Sequence, residues 1–249
     1  MGKYIYREFY RNHLPHFHPP DATLFVTFRL DGSIPQSVVR EYKAKKAWLD
    51  EEYQSLLKAA VRDDSPELMK HFEQLQEFRR HWFRRFEDIL HEGQYGPLWL
   101  RDERVAKIIA DSLHWRDGKA YRLEAYCIMS NHVHTVFTPL LSEKSLRVNQ
   151  EAERLQYQSE DPPLDVILHS LKSYTAHQAN LLLERQGAFW ESESYDHVIR
   201  DSQEHERVVR YVLNNPVKAG LVKDWRDWKW NWWCKQQRTP DKLVACQTS

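Results

Sequence analysis

Two runs rich in β-branched and aromatic residues, Tyr121 to Met129 and Asn131 to Thr138, meet at Ser130-Asn131. So short a junction makes an antiparallel hairpin the natural reading. Another such run, Ala22 to Leu30, stops at Asp31-Gly32, and a short one spans Tyr195 to Arg200. Between the strands the apolar period becomes helical. Arg101 to Trp115 carries Val105, Ile108, Ile109 and Leu113 on one face, and Leu164 to Arg185 forms a helix ended by Gly187. Ser202 to Asn214 forms a last helix, closed by Pro216 because a residue before proline avoids the helical region. The order strand, helix, strand, strand, helix, strand, helix predicts an α+β fold. It is a ferredoxin-like antiparallel sheet with helices on one face, plus one extra helix.

The first strand and the next helix are separated by a long helical stretch. Val39, Tyr42, Leu49, Tyr53, Leu56 and Ala60 form one stripe, with Lys46 as its polar intruder, and Leu68, Phe72, Leu75, Trp82, Phe86 and Ile89 form another. Between them Ser65 is placed to cap and Pro66 to open the second helix. The spacing predicts an inserted antiparallel helical hairpin over 36–92, with charges alternating in sign as on a solvated helix face. The polar stretch 142–163 reads as loop or loose helix. The whole chain, 1–249, is read as one domain carrying this insertion and a Trp-rich basic tail over 223–249.

Composition narrows the classes. At 249 residues and 41% hydrophobic content the chain can bury a core, and no apolar run is long enough for a membrane span or signal-peptide core. Three cysteines without metal-ligand spacing argue against a disulfide framework and a zinc ribbon, so a reducing, cytoplasmic setting is expected. Thirty-six basic residues balance thirty-six acidic ones, yet residues 1–46 carry 8 against 4 and residues 197–238 carry 9 against 5. Trp225, Trp228, Trp230, Trp232 and Trp233 crowd the second basic end. Such a surface can stack single-stranded bases, or the rings can simply cap a core edge.

His132-Val133-His134 lies in a strand, where residues two apart share a face, so two imidazoles can hold one divalent metal. With thirteen histidines in the chain roughly one His-x-His pair is expected by chance, and His16-Phe17-His18 is indeed a second. Tyr211 and Asn215 stand one helical turn apart. A tyrosine oxygen can attack a polarised phosphate, and an amide oxygen can complete a metal shell; alternatively Tyr211 is a core aromatic beside Val208 and Val212. Tyr174 and Gln178 repeat the same spacing. Two imidazoles with oxygen ligands suit Mg²⁺ or Mn²⁺ better than a thiolate-bound structural Zn²⁺.

Several blocks in order carry a family resemblance: Phe25 to Leu30, Met129-Ser130-Asn131-His132-Val133-His134, Leu171 to Ala176, Gly187 to Glu191, Tyr195 to Asp201, and Arg210-Tyr211-Val212-Leu213-Asn214-Asn215-Pro216-Val217-Lys218-Ala219-Gly220-Leu221. The chain resembles the REP-associated tyrosine transposases, relatives of single-tyrosine insertion-sequence transposases within the HUH nuclease superfamily. The 36–92 hairpin falls outside the minimal family core. The resemblance implies that His132, His134 and Asn215 bind a divalent metal, Mg or Mn, and that Tyr211 rather than Tyr174 is the nucleophile. Asn215 stands where many insertion-sequence relatives have Gln, and it still offers an amide oxygen. The implied activity is cleavage and strand transfer on single-stranded DNA hairpins of palindromic repeats through a 5′-phosphotyrosine. Lys172, Arg200 and Lys218 are candidate DNA-phosphate contacts. A monomer or homodimer near the nucleoid, with no membrane partner, is expected. The alternative is a non-catalytic hairpin-binding protein derived from a transposase.

Overall fold

The computed structural model describes residues 22–59, 66–140 and 163–234. In chain order its elements are β1 (Leu24–Arg29), α1 (Gln36–Ala59), α2 (Pro66–Glu92), α3 (Glu103–Arg116), β2 (Tyr121–Ile128), β3 (His132–Pro139), α4 (Pro163–Leu182), β4 (Tyr195–Val198), α5 (Ser202–Lys218) and β5 (Asn231–Trp233). The chain divides into two compact units: residues up to Arg29 with those from Leu98 onward, and Leu30–Pro97. The His16-Phe17-His18 pair, the Ser65 cap, the 142–163 stretch and the tail beyond 234 lie outside the described residues.

In the first unit five antiparallel strands stand in the order β4-β1-β3-β2-β5. Without the edge strand β5, this is the predicted ferredoxin-like sheet. The central strands β1 and β3 are buried almost throughout, the polar His132, His134, Thr135 and Thr138 of β3 included. On one face Tyr121 donates its hydroxyl to Leu113 O of α3 and stacks on Phe137, and Phe28 meets Trp190. Helix α4 lies beside α3, tied by Arg116 to Ser170. The opposite face, which presents Phe25 and His134, is covered by the extra helix α5 through Tyr211.

Helix α5 runs four residues beyond the expected end at Asn214, with Pro216 inside it. The proline removes one N–H, but the last turn is closed by other bonds. Leu221 N–H reaches Pro216 O, and Gly220, at φ +68°, supplies the left-handed residue of a Schellman ending. Asn231 adds a donation to Leu213 O. The extension keeps Asn215 on the helix, one turn beyond Tyr211. Strand β5 was not expected. It pairs with β2, and its neighbouring tryptophans cap that edge: Trp228 donates to Ile128 O, and Trp232 packs on His114 and Tyr126.

The second unit is the helical hairpin. Leu49 is buried with Leu75, Phe78 and Trp82, while Ile34, Val39 and Leu90 make a second cluster. Gly96, at φ +69°, closes the unit where a Cβ would overlap the Gly32 backbone. No helix among the described residues is long and apolar enough to cross a membrane.

Candidate functional site

The β1–β3 register places Thr27 opposite His134. The alternation of β3 then turns His132 and His134 to the face that α5 covers, and both rings are fully buried. Each ring is held from behind. His132 Nδ1 lies 2.7 Å from Asn131 Oδ1, and His134 Nδ1 lies 2.8 Å from the Thr27 hydroxyl. With Nδ1–H donating in both rings, each Nε2 carries a lone pair, and the two Nε2 atoms face each other at 3.0 Å. Two lone pairs so placed repel unless a cation or a shared proton stands between them. Adjacent octahedral ligands at 2.0–2.1 Å from Mg²⁺ are about 3.0 Å apart, so the observed spacing fits one divalent ion on both nitrogens. A ligating imidazole anchored through its other nitrogen is also the usual arrangement at a metal.

Tyr211 reaches this pair from α5. Its ring centroid lies 5.7 Å from that of His134 and 5.9 Å from that of Phe25, which itself stacks on His134 at 5.7 Å. The tyrosine is half-buried, so its ring is positioned by packing while part of it stays open to solvent. Asn215 is fully buried and donates Nδ2 to Tyr211 O at 3.2 Å, which leaves the side-chain carbonyl as the acceptor end of the amide. Lys218 holds its ammonium 4.9 Å from the Tyr211 ring centroid.

Tyr174 sits elsewhere. It is 51% exposed on α4, beside α3, with the Arg116 guanidinium 5.9 Å from its ring. The structure therefore brings Tyr211, and not Tyr174, to the histidine pair. The three candidate phosphate contacts are also placed differently from one another. Lys172 donates to the carbonyls of Glu191 and Ser192 at 2.9 and 3.1 Å, and burial lowers its pKa to about 8. Arg200 is exposed at the entry to α5, where its backbone N–H donates to Glu204. Lys218 is exposed beside Tyr211.

Two anchors of α5 escaped the sequence reading. A bulge in β2 between Leu123 and Ala125 turns Glu124 to the α5 side, where it bonds His205 and accepts from Thr138. Burial pushes the Glu124 carboxyl up, but the hydrogen bonds from His205 and Thr138 outweigh it and leave the pKa below the ordinary value. The same bond to Glu124 raises the pKa of His205. At the first turn Glu204 bonds His197 of β4. Glu124 and His205 stand 81 residues apart, so no local signal encodes their pairing, whereas His197 and Glu204 are only seven apart. Asn131 and Thr27 are a different case, since both lie within the sequence blocks that carry the family resemblance.

No protein-family model matches the chain. A curated Haemophilus influenzae protein named "Putative REP-associated tyrosine transposase" is 22% identical over 107 residues, which are 43% of this chain and 56% of that protein. The matched part thus spans little more than half of the relative's length. A solved structure described as a REP-associated tyrosine transposase bound to a REP hairpin aligns with 88% of this chain and 81% of its own, at 14% identity and a TM-score of 0.44.

Proposed function

We propose that this protein is a metal-dependent single-stranded DNA endonuclease and strand transferase of the tyrosine transposase kind, acting at hairpins of palindromic repeats. The observation that carries the reading is a tyrosine on a covering helix packed against one of two histidines whose Nε2 atoms meet at 3.0 Å. The similarity to a protein named as a REP-associated tyrosine transposase points the same way.

In this reading His132 and His134 hold a divalent ion, Mg²⁺ or Mn²⁺, with the Asn215 carbonyl as third ligand. When bound, such an ion supplies polarisation of a phosphate and neutralisation of charge on its oxygens. The protein's part is positional. Phe25 and His134 fix the Tyr211 ring, and Lys218 puts a positive charge beside the place where a phosphate meets it. The Tyr211 oxygen attacks in line and loses its proton. A phosphotyrosine bond forms at the 5′ side, the bond to the departing 3′ oxygen breaks, and that oxygen leaves as a 3′-hydroxyl. Because the phosphodiester is conserved as a phosphotyrosine, a 3′-hydroxyl can later attack it and rejoin strands. Lys172 and Arg200 are proposed as outlying contacts to the backbone of the same DNA, Lys172 after exchanging one of its carbonyl partners.

The test is incubation of the purified protein with end-labelled single-stranded hairpin DNA from the sequence flanking its own gene, with Mg²⁺, Mn²⁺ or EDTA. The reading expects a metal-dependent cleavage product ending in a 3′-hydroxyl, together with a protein–DNA adduct that survives denaturation. Binding of several flanking hairpins without cleavage would instead support a non-catalytic hairpin-binding protein.

A further inference from the structure

The inserted hairpin does not present evenly alternating charges once its helices are paired. Tyr42 of α1 meets Phe78, Trp82 and Phe86 of α2 at ring-centroid distances of 5.5, 5.4 and 5.3 Å, and Leu49 packs with Leu75. This register sets residues 40–48 alongside 76–86 and residues 49–59 alongside 66–75. The first band holds eight Lys or Arg against two acidic residues, Glu41 and Glu77, a formal +6. The second holds five Asp or Glu against two Lys, a formal −3. Each helix carries its basic and acidic residues at opposite ends, and the antiparallel pairing sets the two basic ends side by side.

Lys46 pairs with Asp50 at 3.8 Å, Arg85 pairs with Glu41 at 2.9 Å, and the Lys45 ammonium lies 4.0 Å from the Trp48 ring centroid. Arg40, Lys43, Lys45, Arg80 and Arg84 are exposed. Arg80 and Arg84 stand four residues apart, a like-charge spacing that weakens an isolated helix. Concentrating positive charge this way costs stability unless a polyanion accepts it.

We propose that this basic band is a contact for the phosphate backbone of DNA. The choice of DNA over another polyanion rests on the function proposed above. A backbone contact is read through charge and not through bases, so the band adds affinity without selecting sequence.

The test uses the full-length protein and a fluorescein-labelled DNA hairpin of arbitrary stem sequence with single-stranded tails. Binding is followed by anisotropy across a salt series, and the slope of log affinity against log salt is read. Each lost phosphate contact lowers that slope by about 0.9 on duplex DNA or about 0.7 on a single strand. The variant carrying Arg40→Gln, Lys43→Gln, Arg80→Gln and Arg84→Gln is expected to lower the slope by about 2 or more, and Arg84→Gln alone by about 1. Lys70→Gln, in the acidic band, is expected to leave it unchanged, and Arg80→Lys with Arg84→Lys to retain it. An unchanged slope in the fourfold variant, with circular dichroism intact, overturns the proposal. So does an equal loss in Lys70→Gln. Adduct formation by the unaltered protein is measured in parallel. An adduct with no slope change removes the band's role alone, whereas a slope change with no adduct removes the tyrosine nuclease reading and leaves the band standing.

Discussion

The Thr27 hydroxyl lies 2.8 Å from His134 Nδ1, so a residue on β1 fixes which nitrogen of a β3 histidine faces its neighbour His132. Replacing Thr27 by Val keeps the side-chain shape and removes the acceptor. We expect Thr27→Val to weaken Mn²⁺ binding about 10–100-fold, the usual effect of losing a partner behind a metal ligand, and Thr27→Ser to restore most of it. Titration of the protein with Mn²⁺, followed by electron paramagnetic resonance, reads this directly. Equal affinity in Thr27→Val would show that the hydroxyl does not orient His134.

Phe25 is buried between His134, Tyr195 and Tyr211. Phe25→Ala leaves a cavity under the tyrosine and should cost about 3–5 kcal/mol of stability, with Phe25→Leu costing less. Urea unfolding measures the loss. A variant that keeps its midpoint yet loses cleavage would assign Phe25 to positioning Tyr211 and not to the core.

The Glu124–His205 pair makes the seating of α5 depend on pH. His205 has a raised pKa, so its contribution is complete below the ordinary histidine value and fades as pH rises through the folded one. Glu124 has a lowered pKa, so its contribution is complete above the ordinary carboxylate value and fades as pH falls through the folded one. The window for the pair is therefore mildly acidic, between about pH 4.5 and about pH 6.5. Glu124→Gln should lower stability there by on the order of 1 kcal/mol after solvent screening, and by less on either side. Melting curves across pH check this, and a difference that keeps growing toward pH 9 would contradict it.

The strands and the histidine spacing were legible because both are local. β-Branched and aromatic runs marked β1, β2 and β3, and a two-residue interval placed both imidazoles on one face. Tyr211 and Asn215 were legible as a helical pair for the same reason. What was hidden depends on contacts between distant residues. Pro216 signalled a helix end, but Leu221, Gly220 and Asn231 close the turn beyond it. Lys172 read as a candidate DNA-phosphate contact, and its bonds to the 191–192 backbone carbonyls were not visible in the sequence. The basic ends of α1 and α2 become one band only when the two helices are laid side by side in register.

Asp165, in the first turn of α4, has its pKa raised to about 6 by burial and by the nearby Asp196 carboxylate. A raised carboxylate gives its full contribution below its ordinary pKa and loses it as pH rises through the folded value, so the charge opposes folding above about pH 6. Asp165→Asn should therefore raise Tm by a few degrees at pH 8 and leave it nearly unchanged at pH 4, part of the gain being offset by loss of a favourable charge at a helix start. A lower Tm at pH 8 would mean that the helix-end contribution outweighs the repulsion.

The most direct test of the account is to identify the residue that becomes attached to DNA. The protein is reacted with single-stranded hairpin DNA and Mn²⁺, digested with nuclease and protease, and the nucleotide-bearing peptide is sequenced by mass spectrometry. The account predicts the modification on Tyr211, abolished by Tyr211→Phe and by His132→Ala with His134→Ala, and unaffected by Tyr174→Phe. Modification of Tyr174, or an adduct that persists in Tyr211→Phe, would contradict it.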